Sequence, residues 1–177
     1  MQRPLTGEPL ALDLVNTVWM RKGVPCDALA TVDDLADWLR ERGLPAETVA
    51  AAATEPVRAR LVHTRAVLQA MVDAEPGAEE SLNAVLEHGL VVRTLEDQQA
   101  RERVVFADPS WELAWRAADD YLRLLGTGPG SIRRCEHPAC ILWFHDPTGR
   151  RRWCSMAGCG NRAKAARHHA RTRQSRR

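Results

Sequence analysis

The segment CEHPACILWFHDPTGRRRWCSMAGCGNR, residues 135–162, contains four of the five cysteines of the chain, arranged in two pairs of equal spacing. Four residues separate Cys135 from Cys140 and Cys154 from Cys159, and thirteen residues lie between the pairs. With this spacing, each pair can supply two ligands from one turn of the chain. Two such turns can surround a zinc ion, which prefers a tetrahedron of sulfur and nitrogen ligands. Four thiolates leave no position for water or substrate, so we predict one structural Zn²⁺ per chain.

Other interpretations of the four cysteines are disulfide bonds, free thiols, and an iron or redox site. No long apolar leader opens the sequence, so we expect a reducing, cytoplasmic location, where clustered thiols usually bind metal or carry out redox chemistry. His137 and His145 lie close enough in sequence to compete as ligands, and this alternative stays open. Ligation by sulfur alone is the main expectation.

Charge divides the chain near residue 132. Residues 133–177 contain twelve lysines and arginines against Glu136 and Asp146, a formal charge of +10, whereas residues 1–132 carry 13 basic and 21 acidic residues, a formal charge of −8. A basic C-terminal module is typical of a protein that binds phosphates, which suggests DNA as a partner. Two alternatives stay open: a solvated tail, or a tail that docks on an acidic surface of this chain or of another protein.

Helical patterns dominate residues 1–126. We predict helices that begin near Thr31, Thr54, Ala78 and Asp108, and a hairpin with strands at 90–95 and 103–106. Thr31 and Asp108 are good N-cap residues, and Gly43 is typical of a helix end. The predicted fold class is mainly α with a small β-hairpin.

The C-terminal module is predicted to be a zinc-bound hairpin followed by a helix. Residues 141–145 and 151–154 have the composition of two strands joined by a turn. Asn161 is predicted to cap the helix that follows. Gly158 and Gly160 are predicted to let the backbone bend so that amide N–H groups point at the Cys159 sulfur, because glycine tolerates a positive φ. The predicted domains are residues 1–126, a helical domain, and residues 132–177, the zinc module.

Six basic side chains around the cysteines are candidates for contact with nucleic acid: Arg151, Arg152, Arg162, Lys164, Arg167 and Arg171. Arg162 has two equally weighted roles, since it could bind a phosphate or the cysteine turn beside it. In the N-terminal domain, Asp13 and Asn16 lie three residues apart and could face a small-molecule ligand, although a capping or hydrogen-bonding role suits them better.

Sequence motifs of catalysis are missing. The sequence has no glycine-rich phosphate loop, no His-Glu-x-x-His helix and no nucleophile elbow, so we expect a protein that is not an enzyme. No stretch is apolar enough to span a membrane. A homodimer is the usual state of a protein that binds two DNA half-sites, but no interface is evident from the sequence.

Two short motifs resemble known families. Cys159-Gly160-Asn161-Arg162, preceded by Arg152-Trp153-Cys154-Ser155-Met156, resembles the CGNR zinc finger, and residues 10–17, LALDLVNT, resemble the opening of the ABATE domain. The resemblance implies a stress-responsive transcription regulator. In such a protein the helical N-terminal domain acts as a sensor and the zinc module binds DNA.

Overall fold

The computed structural model describes residues 3–174, within which the chain forms seven α-helices and six β-strands. In chain order the elements are α1 (Leu10–Val15), β1 (Val18–Arg21), β2 (Val24–Asp27), α2 (Val32–Glu41), α3 (Ala46–Ala52), α4 (Glu55–Val72), α5 (Ala78–Leu86), β3 (Gly89–Glu96), β4 (Gln99–Phe106), a 3₁₀ turn (Pro109–Trp111), α6 (Glu112–Leu125), β5 (Ile132–Arg134), β6 (Trp143–His145), a π-helical turn (Met156–Gly160) and α7 (Asn161–Gln174). The strands pair as three antiparallel hairpins, β1–β2, β3–β4 and β5–β6. The predicted fold class is confirmed.

The helices of the N-terminal part begin where local signals place them. Thr31 and Asp34 form a capping box at the start of α2, in which each side chain accepts a hydrogen bond from the other residue's N–H at 3.1 Å. Gly43 follows α2 with a φ of 81°, the left-handed conformation that ends helices. Asp108 accepts a hydrogen bond from the Ser110 N–H at 2.9 Å and so caps the 3₁₀ turn before α6. These boundary predictions are confirmed.

Residues 28–123 form one of two compact units, which we call the central unit. Its longest helix, α4, packs against α2, α5 and the 3₁₀ turn. None of the helices described between residues 3 and 174 is both long and apolar enough to cross a membrane.

At Gly89 an added Cβ would lie 2.5 Å from the Trp115 indole nitrogen, which donates a hydrogen bond to the Leu86 carbonyl at 2.8 Å. Glycine is therefore required where β3 begins.

The second compact unit, which we call the terminal unit, combines the chain through Asp27 with the chain from Leu124 onward. Within it α1 packs against β6, and Leu12, Trp19 and Phe144 are buried. The N-terminal segment thus belongs to the same compact body as the cysteine-rich segment. The division into domains 1–126 and 132–177 stays a prediction.

The strand that pairs with β6 differs from the prediction. β6 pairs with β5, which precedes the first cysteine, and residues 151–154 form no strand. The Arg151 N–H instead donates to the Asp146 carboxylate at 2.7 Å, and the Arg152 carbonyl accepts from the Glu136 N–H at 3.1 Å. The predicted second strand is therefore wrong, because local side-chain and loop contacts use its backbone groups. β5 has only three residues, two of them arginine, and gives no alternating pattern in the sequence.

The helix that follows the fourth cysteine begins earlier than predicted. Met156–Gly160 is already helical, and the Ser155 hydroxyl accepts a hydrogen bond from the Gly158 N–H at 3.0 Å. Asn161 continues the helix with φ −67° and ψ −39°, and its side-chain amide donates to the Ala157 carbonyl at 3.4 Å. Ser155 is therefore the N-cap, and the prediction for Asn161 is wrong. The wide π-helical turn places Cys159 inside the helical segment rather than before it.

Candidate metal centre

The four cysteines of the C-terminal segment meet at one point. Cys135 and Cys140 lie on the loop between β5 and β6, Cys154 lies after β6, and Cys159 lies in the π-helical turn. Their Sγ atoms all lie within 4.8 Å of one another, and all four residues are buried. Between residues 3 and 174 no other group of three or more potential ligands has this arrangement.

The separations between the sulfur atoms suit a tetrahedral metal ion. The Sγ atom of Cys154 lies 3.5 Å from that of Cys159 and 3.8 Å from that of Cys140. A tetrahedron with Zn–S bonds of about 2.3 Å has sulfur–sulfur edges of about 3.8 Å, whereas a disulfide holds its sulfur atoms about 2.05 Å apart. All five cysteines of the chain are free thiols. The donor set therefore fits a bound metal ion rather than a disulfide.

Backbone N–H groups point at the sulfur atoms of the first pair. The Cys135 sulfur accepts hydrogen bonds from the N–H groups of His137 and Cys154, and the Cys140 sulfur accepts one from the Leu142 N–H. The Cys135 N–H in turn donates to the Leu142 carbonyl at 2.9 Å, which closes the loop. Because hydrogen bonds to a thiolate favour its charged form, this backbone arrangement prepares the sulfur atoms as metal ligands.

Gly158 and Gly160 flank Cys159 for a reason other than the predicted one. Neither adopts a positive φ. An added Cβ would lie 2.8 Å from the Met156 sulfur at Gly160, and 2.9 Å from the Ser155 hydroxyl oxygen at Gly158. Glycine fits here because side chains of the same turn pack directly on its backbone.

Four thiols in contact cannot all ionise without a cation. Burial raises the pKa of Cys135, and the hydrogen bond between Cys140 and Cys154 lowers the pKa of Cys140 while it raises that of Cys154. Four thiolates carry a charge of −4, which a divalent ion reduces to −2. Arg162 donates a hydrogen bond to the Cys159 sulfur at 2.9 Å, and this contact raises the pKa of the guanidinium. The arginine offsets part of the remaining negative charge.

The two candidate histidines lie outside the cluster. The His137 Nδ1 atom accepts a hydrogen bond from the Ala139 N–H at 3.2 Å, and the His145 Nε2 atom lies 3.0 Å from the Thr127 hydroxyl. The group of clustered ligand atoms consists of the four cysteines and includes neither ring. The geometry therefore favours ligation by sulfur alone.

The Asn16 side chain, at the end of α1, pairs with the backbone of β6. Its amide nitrogen donates to the Trp143 carbonyl at 2.8 Å, and its amide oxygen accepts from the Trp143 N–H at 2.9 Å. The side chain thus satisfies both backbone groups of Trp143, as a neighbouring strand would. Asn16 is only 1% exposed. Since Trp143 follows Cys140 by three residues, this contact fixes the chain where it leaves the first cysteine pair.

Glu8 makes a second connection between the N-terminal segment and the cysteine-rich segment. Its buried carboxylate accepts a hydrogen bond from the His145 N–H at 3.0 Å and forms an ion pair with Arg151 at 2.9 Å. Arg151 also donates to the Cys154 carbonyl. Glu8 therefore holds β6 and the chain around the third cysteine together.

Asp13 and Asn16, the candidate ligand-binding residues, both have partners within the protein. The Asp13 carboxylate forms a buried ion pair with Arg3, whose Nη2 atom lies 3.0 and 3.1 Å from the two carboxylate oxygens. Both residues are almost completely buried. These contacts agree with the hydrogen-bonding role that the sequence favours for Asp13 and Asn16. A role in ligand binding stays a prediction.

The candidate nucleic-acid contacts fall into two groups. Arg151, Arg152 and Arg162 are held against the module by Glu8, Glu136 and Cys159, respectively, with an Arg152–Glu136 distance of 2.7 Å. Lys164, Arg167 and Arg171 are exposed on α7. Of the two roles predicted for Arg162, the contact with the cysteine turn is present. Contact with phosphate stays a prediction for all six basic side chains.

Family comparisons agree with this organisation. Residues 8–128 match the ABATE family, described as "Putative stress-induced transcription regulator". The chain belongs to the ABATE family. Residues 131–172 of this ABATE chain match the CGNR zinc finger and include all four clustered cysteines. The resemblance expected from residues 10–17 and 159–162 is confirmed, and the zinc-finger match supports a bound metal ion in the cluster. A comparison with curated proteins gives no match.

The sequence does not indicate that Glu8 and Asn16 contact the cysteine-rich segment. Glu8 and Asn16 lie within the ABATE match, yet their partners His145, Arg151 and Trp143 lie within the CGNR match. One sequence feature could have indicated a buried polar contact: Asp13 and Asn16 are polar residues in the otherwise mostly apolar segment LALDLVNT. Such residues need buried partners.

Proposed function

We propose that this ABATE-family protein is a zinc-containing transcription regulator of the cytoplasm that binds DNA through α7. Cys135, Cys140, Cys154 and Cys159 hold one structural Zn²⁺, and the helical N-terminal domain senses a ligand or stress. The observation that carries the proposal is that the buried cysteine cluster continues directly into a 14-residue basic helix.

The composition of α7 supports contact with phosphates. Its described side chains are exposed or half-buried, so none of them forms a buried apolar face that would hold the helix. Lys164, Arg167 and Arg171 follow one another at intervals of three and four residues and therefore share one face of the helix. A metal-fixed start and a basic exposed face suit a helix that lies against a phosphate backbone. A symmetric dimer, which would present two such helices to two half-sites, is part of the same proposal.

A second candidate function is docking on an acidic protein. The ion pairs of Arg151 with Glu8 and of Arg152 with Glu136 favour it, because basic side chains of this module already bind carboxylates of the same chain. In that case α7 would bind an acidic patch of a partner protein, and DNA binding would be nonspecific.

Selection from a random duplex library separates the two functions. We expect the zinc-loaded full chain, at near-physiological salt, to enrich a sequence motif, because a regulator must prefer its site over bulk DNA. The Cys159→Ser variant is the matched control and should enrich nothing. If the intact protein also returns no motif, the DNA-binding proposal is wrong and protein docking takes its place.

A further inference from the structure

The turn of the β1–β2 hairpin is exposed and basic. Arg21 ends β1 and lies opposite Val24 in β2, and the two residues between them, Lys22 and Gly23, form the turn. Their φ values of 51° and 82° are both positive, as in a type I′ turn, which matches the twist of the paired strands. Residues 21–23 are exposed, and we call them the hairpin tip. The hairpin tip is a tight turn with two cationic side chains in solvent.

The hairpin tip carries positive charge that the described part of the chain does not balance. Between residues 3 and 174, neither Arg21 nor Lys22 forms an ion pair. The terminal unit has five acidic side chains, of which Asp27 lies at the end of the hairpin remote from the tip, opposite Val18. The other four are paired with arginines: Asp13 with Arg3, Glu8 with Arg151, Glu136 with Arg152 and Asp146 with Arg133. The hairpin tip is therefore available to an anion outside the chain.

The hairpin tip lies close to the start of α7. β1 and the start of α7 border the same cavity of about 110 Å³, which holds only a few water molecules. The residues that they contribute to its lining are Trp19, Met20, Gly158, Cys159 and Arg162, and no aspartate or glutamate lines the cavity. Arg21 follows Met20 directly, and a strand rises about 3.3 Å per residue, so the tip begins one step beyond the cavity. The hairpin tip and α7 thus belong to one basic surface of the terminal unit.

We propose that the hairpin tip is a second DNA contact of the terminal unit, in which Arg21 and Lys22 bind phosphates of the same duplex that α7 binds. The inference rests on the proposed function, because it adds a further part to the same DNA-binding surface. Contacts with phosphates carry no sequence information directly, but they fix the orientation of a protein on the duplex. The hairpin tip therefore sets how α7 lies on the DNA.

A duplex suits this surface better than an acidic protein does. Double-stranded DNA carries one negative charge per about 1.7 Å of helix axis, so cations at two separate places on a protein can each meet a phosphate. An acidic protein would need carboxylates placed to match both α7 and the hairpin tip. The tight turn also holds the backbone of the tip in place, so binding orders only the side chains of Arg21 and Lys22 and costs less conformational entropy.

Salt titrations of the zinc-loaded full chain on a short, fluorescently labelled duplex of mixed sequence test the hairpin tip. We expect the double variant Arg21→Gln/Lys22→Gln to lower the slope of log K against log salt by about two units, because two fewer counterions are released. Glutamine fits the turn, since Gln98 has a φ of 64° in the turn between β3 and β4. The matched control, Arg101→Gln/Arg103→Gln, removes the same charge from exposed positions of β4 in the central unit and should leave the slope unchanged.

A combined variant tests whether the hairpin tip and α7 bind one duplex together. Addition of Lys164→Gln and Arg167→Gln to the tip variant should lower the slope by about four units in total. Circular dichroism and zinc content should stay unchanged, because all the replaced side chains are exposed. A tip variant with the wild-type slope, or a control whose slope falls equally, would overturn the inference and leave DNA binding by α7 standing. If the wild-type chain binds no duplex at all, the proposed function is wrong as well, and binding of an acidic protein takes its place.

Discussion

Asn16 illustrates how a side chain can support a metal centre without being a ligand. Its amide satisfies both backbone groups of Trp143, at 2.8 and 2.9 Å, and Asn16 itself is buried. A buried donor and acceptor left without partners cost about 1–3 kcal/mol. The position of β6, and with it the loop that carries Cys135 and Cys140, therefore depends on a residue more than a hundred positions away in the sequence.

We expect Asn16→Ala to lower the stability of the terminal unit by about 1–3 kcal/mol, because it leaves the Trp143 N–H and C=O unpaired. Zinc should then pass to a competing chelator at a lower chelator concentration than from the wild type. Asn83→Ala, on the exposed face of α5, is the control and should change neither quantity. Equal zinc retention in both variants would show that Asn16 does not support the metal centre.

A substitution at Arg162 can distinguish a structural role of this side chain from a DNA-binding role. We expect Arg162→Ala to weaken zinc retention about tenfold or more, because a charge-assisted hydrogen bond to the Cys159 sulfur is lost. Chelator competition measures this effect. Arg167→Ala, five residues further along α7, should leave zinc retention unchanged. If Arg162→Ala instead keeps its zinc and loses affinity for every duplex equally, the phosphate role is correct.

At the scale of elements, α7 depends on the turn that precedes it. The helix has 14 residues, of which several are arginine or lysine and few are apolar, so burial contributes little to its position. Its first residue follows directly on the π-helical turn that contains Cys159. A metal ion bound in the cluster would therefore fix one end of the helix and leave its basic face exposed to solvent.

If the exposed face of α7 contacts phosphates, single neutralising substitutions of Lys164, Arg167 or Arg171 should weaken binding to all duplexes alike. The slope of log K against log salt should fall by about one unit for each contact, because one fewer counterion is released. Binding titrations at several salt concentrations measure the slope. Arg40→Gln, which removes an exposed arginine from α2, is the control. A loss confined to one preferred sequence would instead indicate a base contact at that residue.

At the scale of the whole molecule, the two ends of the chain form one compact unit and the middle forms the other. The contacts of Glu8, Asn16 and Arg151 bind the first residues of the chain to the cysteine-rich segment. A metal site in such a unit stabilises more of the sequence than the segment that supplies its ligands, because binding free energy is shared by everything that folds with it.

Metal removal should therefore loosen both ends of the chain together. After treatment with a chelator, we expect amide hydrogen exchange to speed up in α1 and β6, while α4 and α5 of the central unit keep their protection. Cys159→Ser should give the same pattern without a chelator. Exchange that changes only from Leu124 onward, with α1 still protected, would show that the N-terminal segment is stable without the metal centre.

The sequence predicted much of the fold where the signals are local. Thr31, Gly43 and Asp108 marked helix ends correctly because caps act over three or four residues. The sequence does not predict the pairing of β5 with β6, because Ile132–Arg134 is short and charged, and its strand conformation depends on a partner beyond Cys135. The sequence points to Asn161 as the cap because it contains no sign of a π-helical turn, which shifts the helix start to Ser155.

The four-cysteine cluster, the basic C-terminal segment and the mainly helical N-terminal part can all be predicted from the sequence, since spacing, charge and periodicity are properties of neighbouring residues. Only packing shows that Asn16 and Glu8 contact β6 and that Arg151 and Arg152 form ion pairs with Glu8 and Glu136. It also shows which of the two roles predicted for Arg162 is present, the contact with Cys159. The contacts of Asn16 and Glu8 with β6 join residues up to 137 positions apart, and only packing brings their polar atoms within hydrogen-bond distance.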